Sequence, residues 1–295
     1  MRVLLIHNPG AGDGGDDREA LVRALTLAGH AVDCRSTAEP EWIEALSTAE
    51  TDLFAVAGGD GTVNKVFTEL AGHETPVTLI PLGTANNIAD TLGLTAGSPE
   101  ELIAAWPDFV LRPFDIGVAV APWGRRHFVE TVGCGLLGEV FRRAEESGEP
   151  DDKVRQGLEL LRDAVEVVRP GGWELELDGA DVPGEFLGVE AMNIREVGPE
   201  LRLAPAADPG DGLLDVVLIA EEQRDALSAY VDARLAGAAA ELPALVAHRA
   251  HELTLRLQQG VPLHVDDDPW PVEADGAVVV RAGAEQVNTL VGRSS

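Results

Sequence analysis

Cysteine and long apolar runs are both scarce in this sequence. Cys34 and Cys134 are its two cysteines, which cannot form a disulfide framework and exclude a cysteine-based zinc site. The longest apolar runs, such as "DVVLIA" and "AVVV", are far too short to span a bilayer. The opening "MRVLLIHNPG" is typical of a first strand rather than of a signal peptide. We therefore expect a soluble, cytoplasmic protein.

Basic residues are also few. The chain has 22 Lys and Arg against 51 Asp and Glu, which gives a formal net charge of −29 at pH 7, and its lysines are Lys65 and Lys153. Binding to nucleic acid needs clustered Lys and Arg, and an anionic membrane surface favours basic patches. We expect no nucleic-acid partner and at most transient membrane contact.

The composition that remains is that of a globular protein. Its 295 residues are 45% hydrophobic, which suits one large or two medium domains. The sequence before about residue 114 predicts alternating strands and helices. Strands are predicted at 2–7, 31–36, 52–57 and 76–83, and helices at about 17–29, at 39–49 and from Thr62. This order indicates a parallel sheet covered on both faces, with ligands beyond the carboxyl ends of its strands. The loops after His7, Ala57 and Pro81 should therefore lie near one another.

The pattern changes past about residue 114. Short strand-like segments separated by turns follow, namely "FDIGVAV", "RHFVETVGCG", "WELELDG", "FLGVEAMNI", "GLLDVVLI" and "LTLRLQ". Helices are predicted at roughly 137–168 and 221–246, from their apolar periodicity. Together these segments favour a β-rich second domain.

The segment "GGDGTVN", Gly58–Asn64, follows an apolar strand and opens a helix. Glycines there let the backbone approach a polyphosphate, and a helix N-terminus offers N–H groups and partial positive charge. Asp60 is then placed to hold Mg²⁺, which prefers carboxylate oxygen. A tight strand-to-helix turn with a capping aspartate explains the same residues equally well. The P-loop pattern GxxxxGK[ST] and the protein-kinase HRD and DFG patterns are absent.

A second motif, "PLGTANNIAD" at Pro81–Asp90, follows the next strand and offers Thr84 and Asn86. Together the two motifs resemble the diacylglycerol kinase catalytic family, which includes bacterial lipid kinases and sphingosine kinases and is marked by GGDGTxN followed by PxGTxN. Further segments resemble the family in the same order, namely "NPGAG", "LAPAADPGDGLLDVVLI" and "HVDDDPWP". The resemblance therefore covers nearly the whole chain.

The resemblance implies an α/β fold of two domains. An N-terminal Rossmann-like parallel α/β domain would span 1–114 plus about 283–295, and a C-terminal β-rich, β-sandwich-like domain would span 115–282. It also implies a kinase that uses ATP and Mg²⁺ to phosphorylate a hydroxyl of a lipid such as diacylglycerol. The positions that match the family's nucleotide-binding residues are Asn8, Thr37, Gly58, Gly59, Asp60, Gly61, Thr62, Asn64, Thr84 and Asn86.

The acidic segment "DPGDGLLD" in the second domain is a candidate metal loop. Its residues alone favour a plain turn, because Gly-Asp-Gly is turn chemistry. The corresponding loop of the family binds a second, structural Mg²⁺. The resemblance therefore implies Asp208, Asp211 and the carbonyl of Leu213 as ligands, which are the oxygen donors that Mg²⁺ prefers.

The segment "VDDDPW" near the end of the second domain is a candidate catalytic loop. A run of three carboxylates is commonly a solvated acidic turn. The resemblance instead implies that Asp266 is the base that accepts the proton of the attacking hydroxyl. Like charge from Asp267 and Asp268 should raise the pKa of Asp266.

Four positions depart from the pattern of the family. Lys65 stands where Glu is usual and Asn87 where Asp is common, while Asp267 and Asp268 replace the Gly and Glu of the last motif. These departures leave open a protein that binds nucleotide or lipid without turnover. The charge of −29 leaves open a kinase of a soluble small-molecule acceptor, because an anionic membrane repels it. A homodimer also remains open.

Overall fold

The computed structural model of the protein describes residues 1–12, 18–148 and 152–292. The chain divides into two compact units, one of Met1–Ile116 with Glu285–Ser295 and one of Gly117–Ala284. Part of the predicted loop after the first strand, and the predicted helix start near residue 17, fall on 13–17, outside the described residues.

The first unit alternates strands and helices. Its elements are β1 (Arg2–His7), α1 (Arg18–Leu27), β2 (Ala31–Ser36), α2 (Trp42–Thr48), β3 (Leu53–Gly58), α3 (Asp60–Glu69), β4 (Val77–Pro81), α4 (Asn87–Thr91), α5 (Pro99–Ala105) and the start of β5 (Val110–Ala121). Strands β2, β1, β3 and β4 pair in that order and all run parallel. Strand β3 is buried along its whole length, as expected when helices cover both faces of a sheet.

Most element limits in this unit follow the apolar runs of the sequence. Strand β2 occupies the predicted residues 31–36. Helix α3 begins at Asp60 rather than at the predicted Thr62, and Gly59 is its N-cap. The first motif therefore spans the end of β3, at Gly58, and the first turns of α3, with Asp60 as the first helical residue.

The second unit is rich in strands. Its elements are β6 (Gly124–Phe128), β7 (Thr131–Gly135), α6 (Leu136–Ser147), α7 (Lys153–Val167), β8 (Glu174–Leu177), β9 (Ala180–Asp181), β10 (Phe186–Met192), β11 (Leu214–Ala220), α8 (Arg224–Leu235), β12 (Val246–Ala250), β13 (Glu252–Leu257), β14 (Leu263–Val265), β15 (Asp268–Pro269) and most of β16 (Gly276–Val291). One sheet has the order β12-β11-β10-β7-β14-β15, and β16, β13, β8 and β9 follow one another in a second. Neighbours within both sets pair antiparallel.

The core of the second unit lies between these two sheets. Phe128, Val189 and Leu255 belong to one buried apolar cluster that draws on strands of both sheets. Helices α6, α7 and α8 cover the opposite face of the six-stranded sheet, where Leu161 and Val217 belong to a second buried cluster. The expected α/β fold with a parallel first domain and a β-sandwich-like second domain is thus confirmed.

Two helix predictions in the second unit need correction. The predicted helix at 221–246 is wrong beyond Leu235, where α8 ends, and β12 begins at Val246. The helix stops there because Gly237 adopts a φ of 73°, the left-handed conformation that commonly terminates helices. The predicted helix at 137–168 is two helices, α6 and α7, in the residues that the structure describes. No helix among the described residues combines the length and apolar character needed to cross a bilayer.

Candidate active site

The loops that follow β1, β3 and β4 lie side by side at the carboxyl edge of the parallel sheet. The backbone N–H of Asn8 donates to the carbonyl of Ala57 at 2.9 Å, and the N–H of Leu82 donates to the carbonyl of Gly58 at 3.0 Å. The alternating pattern of the sequence predicts this placement, because parallel strands end at a common edge where ligands bind. The two glycine-containing motifs are therefore neighbours in space.

Packing explains three glycines of the two motifs. A Cβ atom on Gly83 would lie 2.5 Å from the Cα of Gly59, and a Cβ on Gly59 would lie 3.1 Å from the Cα of Gly83. A Cβ on Gly58 would lie 2.9 Å from the side chain of Thr62. The two loops contact each other backbone to backbone, an approach that only glycine permits.

Gly61 differs from these three glycines. It lies exposed in the first turn of α3, and a Cβ there would meet no atom within 4 Å. Its φ is outside the left-handed region that favours glycine. Neither packing nor backbone conformation requires glycine at this position, and a bare helical first turn is well suited to an anion that approaches the backbone closely.

Asp60 joins the two motifs through its carboxylate. Its Oδ2 accepts the backbone N–H of Asn87 at 3.0 Å, and its Oδ1 accepts the N–H of Ile88, also at 3.0 Å. Both donors lie in the first turn of α4, whose N–H groups have no partner within their own helix. The capping role considered for Asp60 is therefore real, but the helix that it caps is α4 rather than α3.

Asn8 and Thr62 are also in direct contact. The Nδ2 of Asn8 donates to the Oγ1 of Thr62 at 2.9 Å, while the Oδ1 of Asn8 accepts the N–H of Gly10 at 2.9 Å. Thr62 is buried and Asn64, one turn into α3, is half-buried. These contacts fix the first-strand loop against the helix that carries the first motif.

Asn86 shapes the turn of the second motif. Its φ of 56° is left-handed, which Asn tolerates better than most residues. Its Oδ1 accepts the N–H of Gly83 at 2.9 Å and its Nδ2 donates to the carbonyl of Gly83 at 2.6 Å. Thr84 is exposed on this turn. Thr37, just after β2, donates its N–H to the carbonyl of His7 at 2.8 Å. All ten predicted nucleotide-binding positions lie within the first unit.

The candidate metal loop lies between β10 and β11 of the second unit. The Oδ1 of Asp208 accepts the N–H of Gly210 at 3.1 Å, and the Oδ1 of Asp211 accepts the N–H of Leu213 at 3.0 Å. The other carboxylate oxygen of Asp211 forms an ion pair with Arg249. In the described part of the chain, no three His, Cys, Asp or Glu residues are grouped to hold a metal ion. A cation on this loop would have to replace Arg249 as the partner of Asp211.

Asp266 lies in the turn between β14 and β15, with 6% of its surface exposed. Its carboxylate accepts the backbone N–H groups of Val129, Glu130 and Thr131, with distances of 2.7 Å to Glu130 and 3.1 Å to Thr131. Val129 and Glu130 form the bend between β6 and β7, and Thr131 is the first residue of β7, where the sequence predicts a single strand. At this bend, the chain turns its N–H groups toward the carboxylate of Asp266.

Opposing effects set the pKa of Asp266. Burial raises the pKa of this carboxyl, the hydrogen bonds from Glu130, Thr131 and Val129 lower it, and the charge of Asp267 raises it, with a result of about 6. The predicted direction is therefore right, but burial rather than like charge is the larger cause. A carboxyl group with a pKa near neutrality suits general base catalysis.

Sequence reasoning missed a buried pair beside Asp266. His264 and Glu190 are both 0% exposed, and the Nε2 of His264 lies 2.9 Å from the Oε2 of Glu190. Their positions are far apart in the sequence, so no motif links them. The available signal was a single ionisable residue inside each of two otherwise apolar strands, "FLGVEAM" and "LHV".

Comparison with known protein families identifies both parts of the chain. Residues 2–119 match the profile of the diacylglycerol kinase catalytic domain. Residues 130–287 match the profile of the YegS C-terminal NAD kinase beta sandwich-like domain. The two matches follow one another along the chain and together include both glycine motifs and the two acidic loops.

Individual proteins show the same relationship. The chain is 29% identical to a diacylglycerol kinase of Mycobacterium tuberculosis over 228 residues, 76% of this chain and 73% of that protein. It is 30% identical to a probable lipid kinase YegS-like of Xanthomonas euvesicatoria over 91% of this chain and 89% of that one. A crystal structure of a putative diacylglycerol kinase from Bacillus anthracis has the same fold, with a TM-score of 0.72 at 22% identity over 100% of this chain and 98% of that one. The chain therefore belongs to the diacylglycerol kinase catalytic family and is a lipid kinase, a phosphotransferase whose acceptor is an alcohol group.

Proposed function

We propose that this kinase transfers the γ-phosphoryl group of ATP to a hydroxyl of a lipid such as diacylglycerol. The name of its relative in Mycobacterium tuberculosis, a diacylglycerol kinase, supports this acceptor. The observation that carries the proposal is Gly61, a glycine in the first turn of α3 with open space above it and no structural need for glycine. ATP supplies the polyphosphate that such a turn binds, and its use suits a cytoplasmic enzyme.

The nucleotide would bind through backbone groups of the first unit. The first turn of α3 donates N–H groups to the phosphates, and the exposed hydroxyl of Thr84 adds a polar contact. Mg²⁺, when bound, offsets the charge of the phosphates, and Asp60 is the carboxylate that we assign to its positioning. The contact between Asn8 and Thr62 holds the surrounding loops in one arrangement, which limits the reorganisation needed on binding.

Asp266 would accept the proton of the attacking hydroxyl. With a pKa of about 6, its carboxyl group is largely ionised at neutral pH and still basic enough to take a proton in the transition state. Asp208, Asp211 and the carbonyl of Leu213 would hold a second, structural Mg²⁺ when Arg249 leaves Asp211. No step of the transfer depends on that second ion.

The test is transfer of label from ATP to a panel of lipids. Purified protein is incubated with labelled ATP, Mg²⁺ and micelles that contain diacylglycerol, other lipid alcohols or no acceptor. We expect label in one lipid, its loss in Asp266→Asn, and its retention in Asp268→Asn, the exposed neighbour. Absence of transfer to every lipid by the folded wild-type protein contradicts the proposal.

A second candidate function is phosphorylation of a soluble acceptor. The net charge of −29 favours it, because an anionic membrane repels such a protein. Flotation with liposomes separates the two candidates: binding to lipid that persists at high salt disfavours the soluble acceptor. A third possibility, binding without turnover, follows from Lys65 and Asp267 and is excluded by any transfer that Asp266→Asn abolishes.

A further inference from the structure

Glu190 and His264 place two ionisable groups inside an apolar part of the second unit. Glu190 lies on β10 and His264 on β14, and both are fully buried. The ring of Phe141, from α6, packs 4.6 Å from the ring of His264, measured between centroids. Burial of two such groups is costly, and apolar residues of similar volume are often at least as stabilising. The pair therefore calls for an explanation other than stability.

The hydrogen bonds of His264 define its protonation. The Nδ1 of His264 lies 2.6 Å from the main-chain carbonyl of Asp266, and a carbonyl oxygen only accepts, so Nδ1 carries a hydrogen. The Nε2 contacts the Oε2 of Glu190, which also accepts the hydroxyl hydrogen of Thr131 at 3.3 Å. An acceptor on each side of the ring favours the doubly protonated imidazolium paired with the Glu190 carboxylate.

Other charged and titratable groups around His264 agree with this assignment. Burial lowers the pKa of His264, but the Glu190 carboxylate and the carbonyl and charge of Asp266 outweigh burial and raise the pKa above its ordinary value. Asp267 follows on the same turn. Gly133 of β7 lies opposite Glu190, and the next residue, Cys134, has the pKa of its thiol raised by burial and by the charge of Glu190. The carboxylates of Glu190, Asp266 and Asp267 favour a cationic His264, while the positive charge of Lys153, which acts on Asp267, opposes it.

The pair holds both sides of the contact that Asp266 makes. On one side, the ring of His264 bonds the carbonyl of Asp266. Asp266 itself has a φ of 52°, which is unfavourable for a non-glycine residue. On the other side, Glu190 bonds the side chain of Thr131, whose N–H binds the carboxylate of Asp266. Loss of the pair would remove one contact from the turn and one from the bend, while the N–H of Asp266 still donates to the carbonyl of Thr131 at 2.8 Å.

We propose that Glu190 and His264 are positioning residues for Asp266, and that they hold its carboxylate in one orientation against the N–H groups of residues 129–131. This inference rests on the proposed function, in which Asp266 is the base. The two residues touch neither ATP nor acceptor in this role. They act on the turn and the bend that Asp266 joins.

Two matched double variants separate the turn contact from the buried pair. In His264→Asn with Glu190→Gln, the side-chain amide can still donate to the carbonyl of Asp266, because Asn Nδ2 lies where His Nδ1 lies. In His264→Gln with Glu190→Gln, the longer amide reaches residue 190 instead, and the turn contact is lost. Both variants lack the buried charges, so they differ mainly in the contact to Asp266.

We expect kcat to fall less in the Asn-containing variant than in the Gln-containing variant, because the Asn-containing variant keeps the contact to the carbonyl of Asp266. The Gln-containing variant should lose about tenfold or more in kcat, because misplacement of a catalytic group by about 1 Å is costly, while KM for ATP stays unchanged. Equal kcat in the two variants, or a loss confined to KM, overturns the proposal.

Two spectroscopic measurements do not depend on kinase activity. Amide exchange of residues 129–131 should accelerate in the Gln-containing variant and stay slow in the Asn-containing one. In the wild-type protein, the ¹⁵N spectrum of the His264 ring should show both nitrogens protonated at neutral pH. An unprotonated Nδ1, or identical exchange in the two variants, contradicts the positioning role even if no lipid substrate is found. If these signals appear as expected while wild-type protein transfers no phosphate, the proposed function alone fails.

Discussion

At the scale of single residues, Gly61 separates ligand binding from folding. Its first-turn position is open, and a methyl group there meets no atom within 4 Å. We expect Gly61→Ala to raise the free energy of unfolding by about 0.5 kcal/mol, since Ala loses less backbone entropy than Gly in a helix. The same methyl group blocks close approach of a phosphate, so KM for ATP should rise by at least about tenfold, or about 1.4 kcal/mol. Urea unfolding and initial-rate kinetics measure the two effects.

Gly83→Ala is the matched comparison for this prediction. Its Cβ would collide with the Cα of Gly59 at 2.5 Å, so this variant should lose stability as well as activity. If Gly61→Ala leaves KM for ATP unchanged, the first turn of α3 is not a phosphate site.

A substitution of Asp60 distinguishes a structural role of its carboxylate from a purely metal-binding role. Each of its carboxylate oxygens accepts a backbone N–H from α4. In Asp60→Asn the amide nitrogen would face one of those donors, and a lost bond of this kind costs about 1 kcal/mol at a half-buried site. We expect that decrease in the free energy of unfolding by urea without Mg²⁺, and no decrease for Asp108→Asn, an exposed aspartate of the same unit. Unchanged stability of Asp60→Asn without metal contradicts the capping role.

The pKa of Asp266 predicts the acid limb of the activity profile. This carboxyl group has its pKa raised from 3.8 to about 6 by burial, and a base must be unprotonated to act. The rate should therefore fall as the pH drops through about 6, and this acid limb should appear in a plot of log kcat/KM against pH.

The same carboxyl group affects the stability of the fold. Because the folded state holds this proton more tightly than the unfolded state, the free energy of unfolding should decrease as the pH rises from 3.8 to about 6. Asp266→Asn should remove that part of the pH dependence of unfolding, and a limb that stays near the ordinary carboxyl value contradicts the assignment.

At the scale of elements, strands with dense apolar runs are predictable and the contacts between them are not. Strands β1 and β2 match their predicted limits because apolar or alternating residues mark them. Strand β16 escapes prediction because it continues through the polar stretch "AGAEQVN" and through Gly283 at a φ of 60°. The pairing of Asp60 with α4 and of Glu190 with His264 also escapes, because the partner of a polar group depends on how distant elements meet. Motif spacing predicts which residues bind a ligand. Only the fold indicates which other residues keep those residues in position.

The loop before β11 supports a prediction about metal dependence. Arg249 on β12 lies opposite Asp215 and pairs with Asp211, so it supplies the positive charge that a cation would bring. In Arg249→Met, the carboxylates of the loop repel one another and Mg²⁺ relieves the repulsion. The thermal midpoint should therefore depend on Mg²⁺ more strongly in Arg249→Met than in the wild-type protein.

Arg256→Met is the control for this experiment. Arg256 is a half-exposed arginine on β13 that pairs with Glu174 and Glu176, away from the loop. Its substitution should lower stability by about 1 kcal/mol or less, as for other exposed pairs, with no added response to Mg²⁺. A wild-type midpoint that depends strongly on Mg²⁺, with no increase in Arg249→Met, shows that Arg249 does not compete with the ion.

At the scale of the whole molecule, the dominant property is a net charge of −29 at pH 7. Like charges at this density repel one another across the folded surface and destabilise the compact state. Salt weakens the repulsion, because the Debye length falls from about 30 Å at 0.01 M to about 8 Å at 0.15 M. We therefore expect the free energy of unfolding by urea at neutral pH to increase as NaCl is raised over this range. Near the isoelectric point of about 4.4 the net charge is small and the salt dependence should disappear. If NaCl at neutral pH leaves stability unchanged or lowers it, local ion pairs such as Arg142 with Glu139 and Glu146 outweigh the repulsion of the whole surface.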